Sequence, residues 1–192
     1  MSVQKAKSVR ANRYRFTVAE YERMGQTGIF SEDERVELVC GEVIETPPIG
    51  ELHAACVDFL TQLITLRLRR SAIVRVQSSV RLDEHSQPQP DIAVLKRRDD
   101  FYRRAHPGPE DILLLIEVSD TTLEYDTKVK VPLYARAGIP ETWLVNLRGG
   151  RVKTYADPAE GAYQTITSYA RGEELQSRAL AALRVSVAEV LG

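Results

Sequence analysis

The sequence predicts a mixed α/β domain with a central mixed β-sheet flanked by helices. Three observations carry that prediction. Glycine-centred hairpin signals stand at Cys40-Gly41 and Gly149-Gly150, each between β-rich runs. The stretch 51–70 has apolar residues at helical spacing. Short β-type runs alternate with helical ones elsewhere, with no internal repeat or low-complexity segment.

Residues 1–15 are polar and aperiodic, with Lys5, Lys7, Arg10, Arg13 and Arg15 and no acid. They read as a flexible basic N-terminal arm before a single domain over 16–192. Thr17 and Glu20 have capping-box spacing, which predicts a short helix over 18–24 stopped by Gly25. RVELVCGEVIET reads as a hairpin ended by Pro47-Pro48, because Gly41 can supply the positive φ of a tight turn. Between 51 and 70, Leu52, Ala55, Cys56, Phe59, Leu60, Leu63, Ile64 and Leu66 mark the longest helix, expected to cover the sheet. Strands are expected at 73–82, 90–95 and 112–118. A helix follows to Ala137, where Gly138 stops it, and then a strand over 141–147. Gly149-Gly150 turns the chain into 151–156, a further strand covers 162–169, and Ser186 with Glu189 caps a last helix.

With 43% hydrophobic residues the 192-residue chain can bury a core, which excludes general disorder. Its longest aliphatic run, ILLLI at 112–116, is far shorter than the ~18 residues of a membrane span. No apolar stretch follows the charged N-terminus, so the expectation is a cytoplasmic protein without a membrane partner. Cys40 and Cys56 form no C-x-x-C pattern, so zinc and disulfide scaffolds are unsupported and both read as buried thiols. The formal net charge of −1 argues against binding nucleic acid by bulk charge. The distribution argues otherwise: 67–104 carries ten basic side chains against five acidic ones. Between Ala105 and Thr127 stand Glu110, Asp111, Glu117, Asp120, Glu124 and Asp126 with no Lys or Arg. Acids flanked by basic segments suit a cation site facing a polyanion; solvated faces beside a floppy tail would read the same way.

In QPQPDIAVL, Asp91 opens an apolar strand, and in ILLLIEVSD, Glu117 ends another. If the two strands pair antiparallel through the loop centred near Arg104, Leu95 faces Leu113 and Asp91 faces Glu117. Opposed residues share a face with Cβ atoms ~5 Å apart, and two like charges there repel unless a cation lies between them. Hard oxygen ligands favour Mg²⁺ or Mn²⁺ over zinc. Solvated strand-end acids in an irregular register are the alternative.

The ordered set PDIAVL, IEVSDTT, D-x3-K-x3-Y at Asp126, Lys130 and Tyr134, and AGIPETWLV resembles the Uma-two family of bacterial endonuclease-like proteins. That family belongs to the PD-(D/E)XK restriction-endonuclease-like superfamily, and the resemblance covers about residues 16–192. It implies a restriction-endonuclease-like core, with Asp91, Glu117 and the main-chain carbonyl of Val118 as metal ligands. Glu37 matches the acid near the first core strand, and His53 a histidine opening the long helix. The common E-x-K lysine is replaced here by Ser119, and the resemblance implies that its role has moved to Lys130. Lys128 competes, but on an ideal helix it points about 200° away from Lys130, so only one of them can face the site. Pro132 has no N–H for the carbonyl of Lys128, so the helix is expected to start late or kink.

From the residues alone, Asp126 and Lys130 read as an i,i+4 ion pair, Ser119 as a turn or cap residue and Trp143 as a core strand residue, while Tyr134 either touches the site or packs on the sheet. The family commonly has an aspartate where Asn146 ends its strand and a second aromatic where Thr142 stands. The resemblance implies Mg²⁺-dependent cleavage of nucleic acid, DNA before RNA, with Mn²⁺ as a substitute. Lys130 would orient the water or stabilise developing charge, and the basic segments would hold phosphates. Two rival readings stay open: an inactive nuclease-fold binding or scaffold module, and a metal-dependent hydrolase of small phosphoesters. A homodimer is expected from the resemblance and from apolar residues in short C-terminal strands.

Overall fold

The computed structural model describes residues 12–31 and 33–192, so most of the expected basic arm, 1–11, lies outside the described residues. Helix α1 (Val18–Gln26) opens on the expected capping box, with Thr17 Oγ1 accepting from the Glu20 N–H. It runs through Gly25 and ends at a Thr27 cap whose N–H reaches Arg23. Strands β1 (Val36–Val39) and β2 (Glu42–Glu45) form the expected hairpin, with Cys40 at φ 51° and Gly41 at φ 80°. A Cβ on Gly41 would fall 2.6 Å from Arg15 Cβ, so Arg15 belongs to the fold and not to a free arm. Cys40 is half-buried and not the interior thiol the composition suggested, whereas Cys56 is buried.

Helix α2 (Glu51–Leu68) is the longest element and ends two residues before the expected limit, where Arg69 takes φ 51°. Strands β3 (Ala72–Val76), β4 (Ile92–Lys96) and β5 (Ile112–Ser119) follow. The expected strand 73–82 stops at Val76, because Gln77 turns with φ 43°. Beyond it the N–H groups of Val80 and Leu82 bond to Pro88 and Ser86 in an irregular loop. A 3₁₀ turn, Pro109–Asp111, leads into β5. The expected single helix to Ala137 is three pieces: α3 (Leu123–Tyr125), a π-helical turn (Asp126–Lys130) and α4 (Val131–Arg136), ended by Gly138 at φ 74°.

Strands β6 (Glu141–Asn146), β7 (Arg151–Ala159) and β8 (Ala162–Ala170) complete a six-stranded sheet in the order β3-β4-β5-β6-β7-β8. Only β5 and β6 pair in parallel, joined by the α3–α4 crossover; the other neighbours are antiparallel, so the sheet is mixed as expected. Strands β9 (Glu174–Gln176) and β10 (Arg184–Ser186), too short to show a period, form a separate hairpin before α5 (Val187–Leu191). Buried Glu141 fastens this end to the sheet by accepting from Trp143 Nε1, Ser177 Oγ and the Ala179 N–H.

Strand alternation splits the core between the two faces of the sheet. Ile92, Val94, Leu114, Ile116, Trp143 and Val145 pack with α2 and α5 on one face. Ala93, Leu95, Leu115 and Leu144 pack with α4 on the other. By the same alternation, Asp91 and Glu117 belong to the α4 face at its edge.

Candidate active site

The pairing of β4 with β5 matches Ile92 to Ile116, Ala93 to Leu115 and Val94 to Leu114. One step further along that register, Asp91 stands opposite Glu117. The expected Leu95–Leu113 pair does not form: an irregularity at Val94/Leu95 puts Ile112 opposite Leu95. Asp91 is held at the mouth of the strands, its Oδ2 accepting from the Val118 N–H at 2.8 Å. Its Oδ1 lies 3.0 Å from His53 Nε2 on the first turn of α2.

Glu117 is buried, and its Oε1 accepts from the Tyr134 hydroxyl. Lys130 Nζ stands 3.3 Å from Glu117 Oε1 and 3.2 Å from Oε2 of the fully buried Glu37 on β1. Glu37 Oε2 also accepts from the Gln89 N–H, and Oε1 from the Tyr125 hydroxyl at 3.3 Å. Lys128 instead makes an exposed ion pair with Glu124. The geometry therefore separates the two lysines as the helical argument required.

The π turn explains how Lys130 reaches inward. A proline ring clashes with the carbonyl four residues earlier, here that of Lys128, and leaves that carbonyl without a donor. Widening the turn relieves the clash, and the Val131 N–H bonds to the Asp126 carbonyl, five residues back. Asp126 makes no ion pair with Lys130, contrary to the i,i+4 reading: its Oδ2 accepts from Ser119 Oγ at 2.7 Å and Thr122 Oγ1 at 2.6 Å. Ser119 is thus neither turn nor cap. It ends β5 and ties that strand to the π turn.

The electrostatics follow from burial. Burial raises the Glu117 carboxyl well above the usual range; Lys130 opposes the rise, and Asp91 and Asp126 add to it. Burial would lower the Lys130 ammonium, but Glu117, Glu37, Asp126 and Asp91 outweigh it and keep the lysine charged. One lysine stands among four acidic side chains, and a divalent cation would favour their ionised forms. Among the described residues no three His, Cys, Asp or Glu side chains come together as a metal cage. Asp91 and Glu117 nevertheless fit a hard cation of the Mg²⁺ type, which is held by one or two carboxylates while keeping waters and substrate phosphate.

These residues line a cavity of about 370 Å³. Gln89 is shared between it and a larger groove of about 1110 Å³, whose walls include Arg75, Arg81, Arg103 and Arg104. The groove draws its arginines from the basic 67–104 block. Tyr134, Tyr125 and Gln89 are site residues that the sequence reading missed or left open. For Tyr134 the signal was its place four residues after Lys130, one helical turn along the same face. Gln89 lies in the irregular segment before β4, where no spacing rule signals its contact with Glu37.

A solved structure described as that of a putative nuclease belonging to DUF820, from Anabaena variabilis, has the same architecture, with a TM-score of 0.72. The two are 16% identical, over 92% of this chain and 97% of that one, a likeness of fold. The fold therefore places the protein in a mixed α/β class represented by that structure. The family model of Uma2, described as putative restriction endonuclease, matches residues 18–188, and the chain belongs to that family. No curated protein matches the chain. Among the described residues, no helix is long and apolar enough to cross a membrane.

Proposed function

We propose that the protein is a Mg²⁺-dependent endonuclease that hydrolyses phosphodiester bonds of nucleic acid, with DNA as substrate and Mn²⁺ as a working substitute. The observation that carries this reading is Lys130, buried between Glu37 and Glu117 beside Asp91 at the strand ends. Asp91, Glu117 and the Val118 carbonyl would hold the ion. When bound, it supplies a Lewis acid for a phosphate oxygen and lowers the pKa of a water.

The chain's own residues do the rest. The Val118 N–H and His53 fix the Asp91 carboxylate, while Tyr134 fixes Glu117. The Lys130 ammonium stabilises negative charge growing on the phosphoryl oxygens as water attacks phosphorus in line. Arg81, Arg103 and Arg104 would hold flanking phosphates and position the strand without reading its sequence. A groove walled by arginines and sharing Gln89 with the acid cavity favours a polymer over a small phosphoester, which would need no such surface.

The test is cleavage of plasmid DNA by the purified protein. Nicking with Mg²⁺ or Mn²⁺, its loss with EDTA, and its loss in Glu117→Gln support the reading. A folded wild type that cuts neither DNA nor RNA with either ion would replace it with an inactive binding module.

A further inference from the structure

We infer that the arginine-walled groove is a base-reading site, in which the side-chain amide of Gln87 hydrogen-bonds the edge of an unpaired nucleobase a few nucleotides from the scissile phosphate. The inference rests on the nucleic-acid reading of the neighbouring acid cavity and adds the form of the substrate, a single-stranded or extruded nucleotide. Gln87 is 3% exposed and lines the groove. Its Oε1 is buried without a hydrogen-bond partner among the described residues. An interior amide oxygen left without a donor is destabilising unless something else supplies the bond. Gln89, two residues on, is the contrast: its Nε2 donates to the Val36 carbonyl at 3.2 Å. The backbone holds Gln87 in place for such a partner. Its N–H bonds to the Leu38 carbonyl at 2.8 Å, a one-residue bridge to β1. The neighbouring carbonyls are tied as well, Ser86 accepting from the Leu82 N–H and Pro88 from the Val80 N–H.

The occupant follows from the rest of the groove. Arg75, Arg81, Arg103 and Arg104 outnumber Glu22 and Glu34 on its walls, which suits a phosphate backbone. Tyr21 and Phe30, with ring centroids 5.9 Å apart, add aromatic surface against which a base can stack. A side chain set this deeply cannot project into the major groove of a duplex, so the base must leave its stack to meet it. An amide carries a donor beside an acceptor, the complement of a base edge such as adenine N6 and N7. Asp91 is four residues after Gln87, a span of at most about 14 Å, so the base lies within roughly four nucleotides of the cut.

Fluorescence anisotropy of labelled oligonucleotides at fixed salt, with EDTA present so that no strand is cut, tests this on the full chain. Wild type should bind a single strand at least about tenfold more tightly than a blunt duplex of the same sequence. Gln87→Met should lose about tenfold on the single strand, leave duplex binding unchanged, and bind an abasic strand of equal length as wild type does. Arg103→Ala, an exposed change, should weaken all three alike. Gln87→Met should also melt at or above the wild-type temperature, since no bond to Oε1 is lost. Equal wild-type affinity for single strand and duplex, no effect of Gln87→Met, an effect that persists on the abasic strand, or a lower melting temperature would each overturn the inference. Base-dependent binding with no cleavage on adding Mg²⁺ would sustain it and remove the hydrolytic reading alone.

Discussion

Lys130 Nζ lies 3.3 Å from Glu117 Oε1, although the lysine comes from a π-helical turn and the acid from the end of β5. In the common E-x-K arrangement both groups stand on one strand. Here the strand position holds Ser119, whose hydroxyl is committed to Asp126. The same strand end is therefore bound to the turn that delivers the ammonium.

Replacing Lys130 by Met should reduce cleavage by about a hundredfold or more, because the charge opposite the reacting phosphate is lost. It should also cost roughly 3 kcal/mol of stability, since Glu37 and Glu117 are buried and lose their cation. Lys128→Ala removes only an exposed pair and should change stability by less than about 0.5 kcal/mol and the rate little. Urea unfolding and initial rates measured on both variants check this. A more damaging Lys128 change would reverse the assignment of the lysines.

Pro132→Ala restores an N–H that can bond to the Lys128 carbonyl, so the π turn should relax toward α-helix and Lys130 should swing from its acids. The expected outcome is a slower rate at saturating substrate together with a loss of thermal stability, since Glu37 and Glu117 would part from their cation. An unchanged rate would mean that the proline does not aim the lysine.

Cys56 gives a separate pH signature. Burial, reinforced by Asp91, pushes its thiol up to about 12, and the thiol donates to the Val190 carbonyl. Above the ordinary thiol range of ~8.5 the unfolded chain loses this proton and the folded one keeps it, so stability falls with rising pH up to about 12. Between about pH 9 and 11, wild type should lose stability more steeply than Cys56→Ala, by up to about 1.4 kcal/mol per pH unit. Denaturant titrations at several pH values would show it, and equal slopes would count against a buried neutral thiol.

Much of this architecture was legible because it depends on local chemistry. Capping boxes at Thr17 and Ser186, the Cys40-Gly41 turn and the apolar period of α2 each announce an element within a few residues. The Asp91–Glu117 juxtaposition was legible from strand alternation and loop length, but the irregularity at Val94/Leu95 was not, since neither counts an extra residue. Tyr125 reaches Glu37 across 88 residues and Gln89 reaches it across 52, distances over which no spacing rule operates. Tyr134 shows the subtler failure: it is both packed in the core and bonded to Glu117, whereas its sequence setting offers the two roles as alternatives.

The claim on which the rest depends is that Asp91 and Glu117 share one divalent cation, and calorimetric titration of the metal-free protein with Mn²⁺ tests it most directly. One saturable site is expected in wild type and in Lys130→Met, with binding weakened at least about tenfold in Asp91→Asn and in Glu117→Gln. A folded wild type with no heat of binding, or an affinity unchanged in both carboxamide variants, would contradict it.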